Sequence, residues 1–196
     1  MLDHAVANHQ VPGGIALIMK DGEVAHFRAF GYANPLELEG MPEDAIFRIC
    51  SQTKSLTSTA AMILWERGLI GLDDPVSNYI PDIGSMGVIE EVFEDSTCSI
   101  RPSQSIMTLR HLMTHQSGIS YGEIGDPRFK LLYEKAGVVD LFTTDSLTAE
   151  ENCIRIASTA LIHDPGARWN YSLGLDVMVR VIEVVSGRPF DEFLKT

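Results

Sequence analysis

The pattern of apolar and polar positions near the start of the chain predicts a β-hairpin over residues 15–31. The segment IALIMK is apolar and rich in strand-forming residues, and the turn dipeptide Asp21-Gly22 follows it. The segment EVAHFRAFG then alternates in part between apolar and polar positions, which is typical of a strand with one buried face. A short extended piece, FRIC, is predicted at residues 47–50.

The pattern changes to a helical period from Ser51 onward, with Gly68 as a suitable C-terminal stop. One face of this predicted helix carries Leu56, Ala60, Ile63, Leu64 and Arg67. Residues 82–99 are different, because they contain acidic side chains and no Lys or Arg. We interpret them as a solvated acidic loop, whose charged residues are Asp82, Glu90, Glu91, Glu94 and Asp95.

Four further helical segments are predicted in the second half of the chain. A short helix runs over Thr108–His115, and another begins at Thr148, which forms a capping box with Glu151, and continues to about Leu161. Residues 172–185 carry an apolar stripe and form a long helix. The final segment, SGRPFDEFLKT, begins one more helix.

Composition and charge limit the functional class. A chain of 196 residues with 45% hydrophobic content can bury one substantial core. The net charge of -12 repels phosphate backbones, so we expect no nucleic-acid partner. The apolar runs IALIM and AAMILW are shorter than the roughly 20 residues of a membrane span. We therefore expect no membrane partner, and a cytoplasmic location because the start lacks the pattern of a secretory signal.

The three cysteines, Cys50, Cys98 and Cys153, form no C-x-x-C pair. They predict buried, reduced thiols rather than a disulfide framework or a zinc site.

The strongest candidate chemistry is the S-x-x-K motif Ser51-Gln52-Thr53-Lys54. Residues three positions apart on a helix share a face, so Lys54 is expected beside Ser51. A serine hydroxyl is a poor nucleophile until a base takes its proton, and a partly buried lysine near positive potential can lose its own proton and act as that base. The motif also occurs by chance, as a helix cap followed by an exposed lysine.

Two other motifs compete with it. The sequence Gly118-Ile119-Ser120-Tyr121-Gly122 matches the nucleophile pattern G-x-S-x-G, but a helical segment precedes it where an elbow needs a strand. We therefore predict that Ser120 is a turn residue. His111 and His115 have a zinc-like spacing, but Leu112 stands where the catalytic glutamate would be, so we expect no metal site.

The segment PGARWNYSLGLD places Trp169 and Tyr171 just before the predicted helix at 172–185. Two interpretations remain open for these aromatic residues. They anchor the core, or Tyr171 lies next to a cation that lowers the pKa of its phenol, so that it acts as a base.

Taken together, the motifs occur in an order that resembles the serine β-lactamase and penicillin-binding-protein superfamily, most closely its class C-like branch with carboxylesterases and D-aminopeptidases. The four blocks are PGGIALIMKDGEVAHFRAFGYAN, FRICSQTKSLTSTAAMILWERGLIGLDDPVSNYIP, TLRHLMTHQSGISYG and PGARWNYSLGLDVMVRVIEVVSGRPFDEFL. The resemblance implies an α/β fold with an antiparallel sheet and a helical lobe. Residues 1–50 would form the N-terminal helix and hairpin of the sheet domain, and residues 51–196 the mainly helical lobe that starts with the S-x-x-K helix.

The resemblance also implies residue roles. Ser51 would be the acylated nucleophile and, through its backbone N–H, one oxyanion donor. Lys54 and Tyr171 would form the base pair that activates it. Trp169, Leu173 and Tyr121 would line the substrate pocket. Leu173 stands where β-lactamases have an asparagine that holds the amide side chain, which favours esters over β-lactams. Neither a cofactor nor a metal is implied.

Family members are considerably longer, and their last third supplies further strands and a third motif of K-T-G, H-x-G or W-G-G type. None of these motifs follows Tyr171. We therefore expect the C-terminal strands to be absent or on another chain, so that a second chain, a C-terminal fragment or a homo-oligomer completes the sheet.

The sequence thus predicts a serine hydrolase of small carboxylic esters that needs the missing part for activity. D-aminopeptidase, D,D-peptidase, β-lactamase or acyltransferase activity would use the same chemistry on an ester or amide. A non-catalytic binding module is the alternative from a different class.

Overall fold

A computed structural model describes residues 1–93 and 97–196 of the chain. The described residues form a mixed α/β structure with antiparallel sheets, as predicted. They divide into two compact units, Met1–Cys50 and Ser51–Thr196.

The first unit consists of helix α1 (Leu2–Ala7) and a three-stranded antiparallel sheet in the order β1-β2-β3. The predicted hairpin is confirmed. Its strands pair from Gly13 opposite Gly31 to Lys20 opposite Glu23. The strands are β1 (Gly13–Lys20), β2 (Glu23–Asn34) and β3 (Glu39–Gly40).

The turn of the hairpin has a positive φ at both central residues, 52° at Asp21 and 82° at Gly22. That backbone matches the twist of the flanking strands, so the dipeptide sets the register of the two pairs next to the turn, and the register shifts between Ile18 and Met19. Several apolar side chains of the hairpin remain exposed, namely Leu17, Ile18, Met19, Val24 and Phe27. The predicted extended piece at residues 47–50 joins no sheet and ends in a 3₁₀ turn at Cys50–Gln52.

The second unit begins at Ser51, within that turn, and continues into helix α2 (Thr53–Glu66). The helix stops before Gly68, whose φ of 69° confirms it as the terminator. Its buried face is formed by Thr57, Ala60, Ala61 and Leu64. Leu56, which we placed on that face, is 46% exposed.

The interpretation of residues 82–99 as an acidic loop is wrong for most of the segment. Pro81–Ser85 forms a 3₁₀ helix, and strands β4 (Val88–Val92) and β5 (Cys98–Arg101) pair antiparallel. Val88 and Ile89 are buried, whereas the acidic residues that follow them, Glu90 and Glu91, are exposed. The strand therefore buries apolar side chains without burying a charge. Glu94 and Asp95 lie outside the described residues.

The remaining helices surround one apolar core. Helix α3 (Leu109–Met113) is capped by Thr108, and α5 (Ala149–Ala157) is capped by Thr148 with Glu151, so the predicted capping box is confirmed. The chain leaves α5 before Leu161, because the backbone of Leu161 bonds to Gly87 and Ile89 beside β4. The other helices are α4 (Pro127–Ala136), which we did not predict, α6 (Gly174–Ser186) and α7 (Phe190–Phe193).

Helix α6 is the centre of this unit and contacts α2, α3, α5 and α7. Its fully buried side chains are Val177, Met178, Val181 and Ile182. Of the cysteines, Cys153 is buried as expected, whereas Cys98 is half-buried and Cys50 is exposed. The core therefore holds α2 and the segment before α6 in fixed positions.

Candidate active site

Ser51 lies in the 3₁₀ turn that leads into α2, and Lys54 lies in the first turn of the helix itself. Cys50, directly before the serine, has a φ of 48°. This left-handed residue turns the chain sharply as it enters the helix. Ser51 is exposed and Lys54 is half-buried, so the hydroxyl faces solvent while the ammonium group points into the unit.

Tyr171 reaches the same place from the loop before α6. Backbone bonds tie this loop to the segment after α3, from Asn170 N to His115 O (2.7 Å) and from Gly166 N to Gln116 O (2.8 Å). The side chain of Asn170 donates to Ile119 O over 3.1 Å. Two loops that are distant in sequence thereby support each other and fix the position of Tyr171.

These elements bring four side chains together. Tyr171 Oη lies 2.8 Å from Ser51 Oγ. Lys54 Nζ donates to Tyr121 Oη over 2.8 Å. The rings of Tyr121 and Tyr171 stack with centroids 5.4 Å apart and an interplanar angle of 19°. Lys54 Nζ is 5.1 Å from the ring centroid of Tyr171 and 5.5 Å from that of Tyr121, so a single ammonium group lies over both rings.

The environment of this cluster shifts the pKa of Tyr171 and the pKa of Lys54 in opposite directions. Burial alone would raise the pKa of Tyr171, but hydrogen bonds with Ser51 and Lys54 outweigh it, and the pKa lies below its usual value of 10. Burial would lower the pKa of Lys54, but hydrogen bonds with Tyr121 and Tyr171 raise it. The raised pKa favours the charged form of Lys54, whereas the loss of its proton would be favoured by a lowered pKa. The lowered pKa of Tyr171 favours its phenolate form.

Comparison with known proteins identifies the family. Residues 1–196 match the family Beta-lactamase. The chain belongs to the β-lactamase family. It is 31% identical over 194 residues to esterase EstB of Burkholderia gladioli, covering 96% of this chain and 45% of EstB. It is 30% identical to the monacolin J acid methylbutanoyltransferase of Aspergillus terreus, covering 97% of this chain and 46% of the transferase.

The fold of this β-lactamase family chain is also found in solved structures. EstCE1, a hydrolase with promiscuous acyltransferase activity, superimposes with a TM-score of 0.81 at 28% identity, over 99% of this chain and 47% of EstCE1. The chain thus spans about half the length of these relatives. These three relatives are an esterase, an acyltransferase and a hydrolase with promiscuous acyltransferase activity.

The three residues predicted to line a pocket occupy different environments. Trp169 is 63% exposed, and its ring centroid lies 6.4 Å from that of Tyr171, so it presents an open apolar surface beside Tyr171. Leu173 is 1% exposed and packs in the core. Tyr121 is 4% exposed, and its hydroxyl binds Lys54. Of the three, Trp169 alone offers a large surface to a ligand within this chain.

His115 is a residue of the site that the sequence did not indicate as such. Its ring centroid lies 4.7 Å from that of Tyr171, and its Nδ1 lies 3.2 Å from Ser172 Oγ. Burial, followed by the charge of Lys54, lowers its pKa. The imidazole, whose lowered pKa favours its neutral form, therefore packs against the ring of Tyr171 at a tilt of 49°.

The competing motifs have structural partners of their own. Ser120 is fully buried, and its backbone N–H donates to Tyr133 Oη. The side chain of His111 accepts from the backbone of Thr108 in the cap of α3. No group of three or more His, Cys, Asp or Glu side chains in the described ranges is arranged to hold a metal ion. Nor does any helix in residues 1–93 and 97–196 have the length and apolarity to cross a bilayer.

Proposed function

We propose that the protein containing this chain is a serine hydrolase that cleaves small carboxylic esters through an acyl-enzyme on Ser51. The observation that carries the proposal is the 2.8 Å contact between Ser51 Oγ and Tyr171 Oη. The lowered pKa of that phenol, caused by hydrogen bonds that outweigh burial, supports the same assignment. A hydroxyl that can be deprotonated where it stands is the requirement for nucleophilic catalysis by serine.

Each step then follows from these positions. The Tyr171 phenolate takes the Ser51 proton while Oγ forms a bond to the ester carbonyl carbon. The tetrahedral intermediate collapses, the bond to the alkoxide breaks, and Tyr171 returns the proton to the leaving alcohol. Water then gives a proton to Tyr171 as its oxygen attacks the acyl carbon, and the acid leaves as Ser51 recovers its proton. Lys54 stays charged throughout and stabilises the phenolate.

The oxyanion would be bound in part by the backbone N–H of Ser51, which lies in the turn before α2. The N-terminal end of a helix carries a partial positive charge that favours a developing anion. Loss of one such donor typically costs about a hundredfold to a thousandfold in rate. A second donor is therefore needed for full activity.

The preference for esters over β-lactams rests on Trp169 and on the absence of an asparagine at position 173. Leu173 is buried in the core and has no polar group with which to hold an amide side chain. Trp169 offers a large apolar surface next to the base, which suits the alkyl part of an ester. Similarity to EstB favours hydrolysis, whereas similarity to the methylbutanoyltransferase favours transfer of the acyl group to an alcohol.

We further propose that polypeptide outside these 196 residues, in the same chain or a partner, completes the sheet and the oxyanion hole. The exposed apolar side chains of the hairpin β1–β2 support this, as does the greater length of the relatives. Size-exclusion chromatography of the 196 residues alone tests it. A stable monomer with full esterase activity would contradict the proposal.

The function is tested by treating the full-length protein with a fluorophosphonate and locating the adduct by mass spectrometry. We expect one adduct, on Ser51, and none in Ser51→Ala. The matched control is Ser120→Ala, which removes the serine of the competing motif and should label at the rate of the unchanged protein. Labelling that persists in Ser51→Ala would refute the assignment.

Turnover of a p-nitrophenyl ester, with and without an added alcohol, then separates the two outcomes of the acyl-enzyme. Release of acid alone indicates a hydrolase, and appearance of the new ester indicates a transferase. No adduct with any activated ester would favour a non-catalytic binding module.

A further inference from the structure

The two stacked tyrosines of the site have opposite environments. Tyr121 is 4% exposed, whereas Tyr171 is half-buried and contacts the exposed Ser51. Burial raises the pKa of Tyr121 even though Lys54 donates to it. The pKa of Tyr171 is lowered instead. Paired groups whose pKa values are driven apart commonly take different roles in proton transfer.

A single ammonium group can neutralise only one of the two phenols. Lys54 Nζ lies 2.8 Å from Tyr121 Oη and contacts the face of both rings. If Tyr121 ionised, its charge would be buried and would repel a phenolate at Tyr171, because like charges at this distance disfavour each other. The arrangement is stable when Tyr121 stays neutral and Tyr171 carries the charge.

A neutral Tyr121 still has an O–H to donate. Its oxygen accepts from Lys54, which leaves its own proton free for another acceptor. The rings are nearly parallel, with both hydroxyls beside the same ammonium group. Hydrogen bonding by Tyr121 is also one of the contributions that lower the pKa of Tyr171, after those of Ser51 and Lys54.

We propose that Tyr121 is a positioning residue whose buried, neutral hydroxyl fixes the Lys54 ammonium and directs its own O–H at the oxygen of Tyr171. The role rests on the proposed function, in which Tyr171 is the base. It differs from the substrate pocket that the sequence suggested for Tyr121, because a side chain that is 4% exposed has little surface for a ligand.

Three charged or titratable groups face the two tyrosines from the elements packed around them. Lys54 comes from α2, and His115, which follows α3, contacts the ring of Tyr171. Asp176 lies in the first turn of α6, and its charge raises the pKa of both Lys54 and Tyr121. Asp176 thus reinforces the pattern of a charged lysine and a neutral Tyr121.

The test is Tyr121→Phe in the full-length protein, which keeps the stacked ring and removes only the hydroxyl. Tyrosinate absorbance is followed against pH, and the step that disappears in Tyr171→Phe reports Tyr171. A hydrogen bond to a charged group has a strength that corresponds to about one to two pH units, so the midpoint of this step should rise by that amount. An unmoved midpoint would overturn the proposal.

Kinetics provide the second measurement. At pH 7 the rate of acylation in Tyr121→Phe should fall about tenfold to a hundredfold, as the phenolate fraction falls. KM should change little, and the rate should recover as the pH is raised. A raised KM with an unchanged pH profile would mean that Tyr121 binds substrate, and would overturn the positioning role.

The matched control is Tyr79→Phe, which removes another tyrosine hydroxyl, one that donates to Asp74 over 2.7 Å. It should leave both the Tyr171 midpoint and the acylation rate unchanged. The absorbance titration needs no turnover, so the two proposals fail separately. A protein that never acylates but shows the shifted midpoint retains the positioning role and loses the hydrolase function.

Discussion

Replacing Lys54 by methionine removes the ammonium group from the centre of the site and keeps a side chain of similar length. In the structure Lys54 Nζ donates to Tyr121 over 2.8 Å and helps to lower the pKa of Tyr171. Burial, which raises the pKa of Tyr171, would then be opposed by fewer groups. The phenol should therefore become a weaker acid, and less of it should be ionised at neutral pH.

The size of the effect follows from the contact that is lost. A hydrogen bond to a charged group contributes about 1.5–3 kcal/mol, and 1.36 kcal/mol corresponds to a factor of ten. The phenolate fraction of Tyr171 at pH 7 should accordingly fall about tenfold to a hundredfold, and the rate of Ser51 acylation should fall with it. Because the loss lies in the ionisation of Tyr171, raising the pH should restore most of the rate.

Stopped-flow acylation by a p-nitrophenyl ester between pH 6 and pH 10 measures both effects. The control is Lys20→Met, which removes an exposed lysine of strand β1 and should leave the profile unchanged. If Lys54 were itself the base, its removal would abolish acylation at every pH. A lost rate that does not recover at high pH would refute the assignment of Lys54 as a cation and Tyr171 as the base.

Two further predictions concern stability. Gly118 has a φ of 85°, and a Cβ there would lie 2.3 Å from His163 O. An alanine in this left-handed conformation is strained by roughly 1–2 kcal/mol. Because the clash adds to that strain, Gly118→Ala should lower the free energy of unfolding by more than this amount. Gly187 has a φ of 67° and no atom within 4 Å of an added Cβ, so Gly187→Ala measures the strain without a clash. Equal urea midpoints for the two variants would contradict the clash at Gly118. Burial lowers the pKa of His163 below its usual 6.5, and no hydrogen-bond partner for its Nε2 is found in residues 1–93 and 97–196. As the pH falls below about 6.5, the unfolded chain therefore binds the proton first, and the free energy of unfolding decreases. His163→Gln should reduce this pH dependence, measured by urea titrations at pH 5.5 and 7.5. If the free energy of unfolding changed equally with pH in both proteins, His163 would be excluded as the source.

Sequence patterns predicted those parts of the fold that depend on local geometry. The Asp21-Gly22 turn and the capping box of Thr148 are fixed by residues within a few positions of each other. The segment 82–99 differs from the predicted acidic loop because Val88 and Ile89, which lie among its acidic residues, are buried. Whether a charged stretch forms a strand depends on what covers its apolar face, and here Leu161 lies beside it.

For the candidate site, too, local spacing predicted some features, whereas others depend on tertiary contacts. Ser51 and Lys54 share a helix turn, so their spacing indicated their proximity. The charge state of Lys54 depends on two tyrosines that the fold brings to it, and no local pattern contains that information. His115 illustrates the same limit, because its spacing from His111 indicates neither of its contacts with Tyr171 and Ser172.

The contact between Ser51 and Tyr171 joins residues that are 120 positions apart. Closing so long a loop carries an entropic cost that local helices do not repay, so such contacts form late in folding. We therefore expect the contact between Ser51 and Tyr171 to form only after α6 has docked against α2. Under the proposed function, the rate at which Ser51 becomes reactive during refolding would report the last tertiary step. In a partly folded chain the Ser51 hydroxyl would not react.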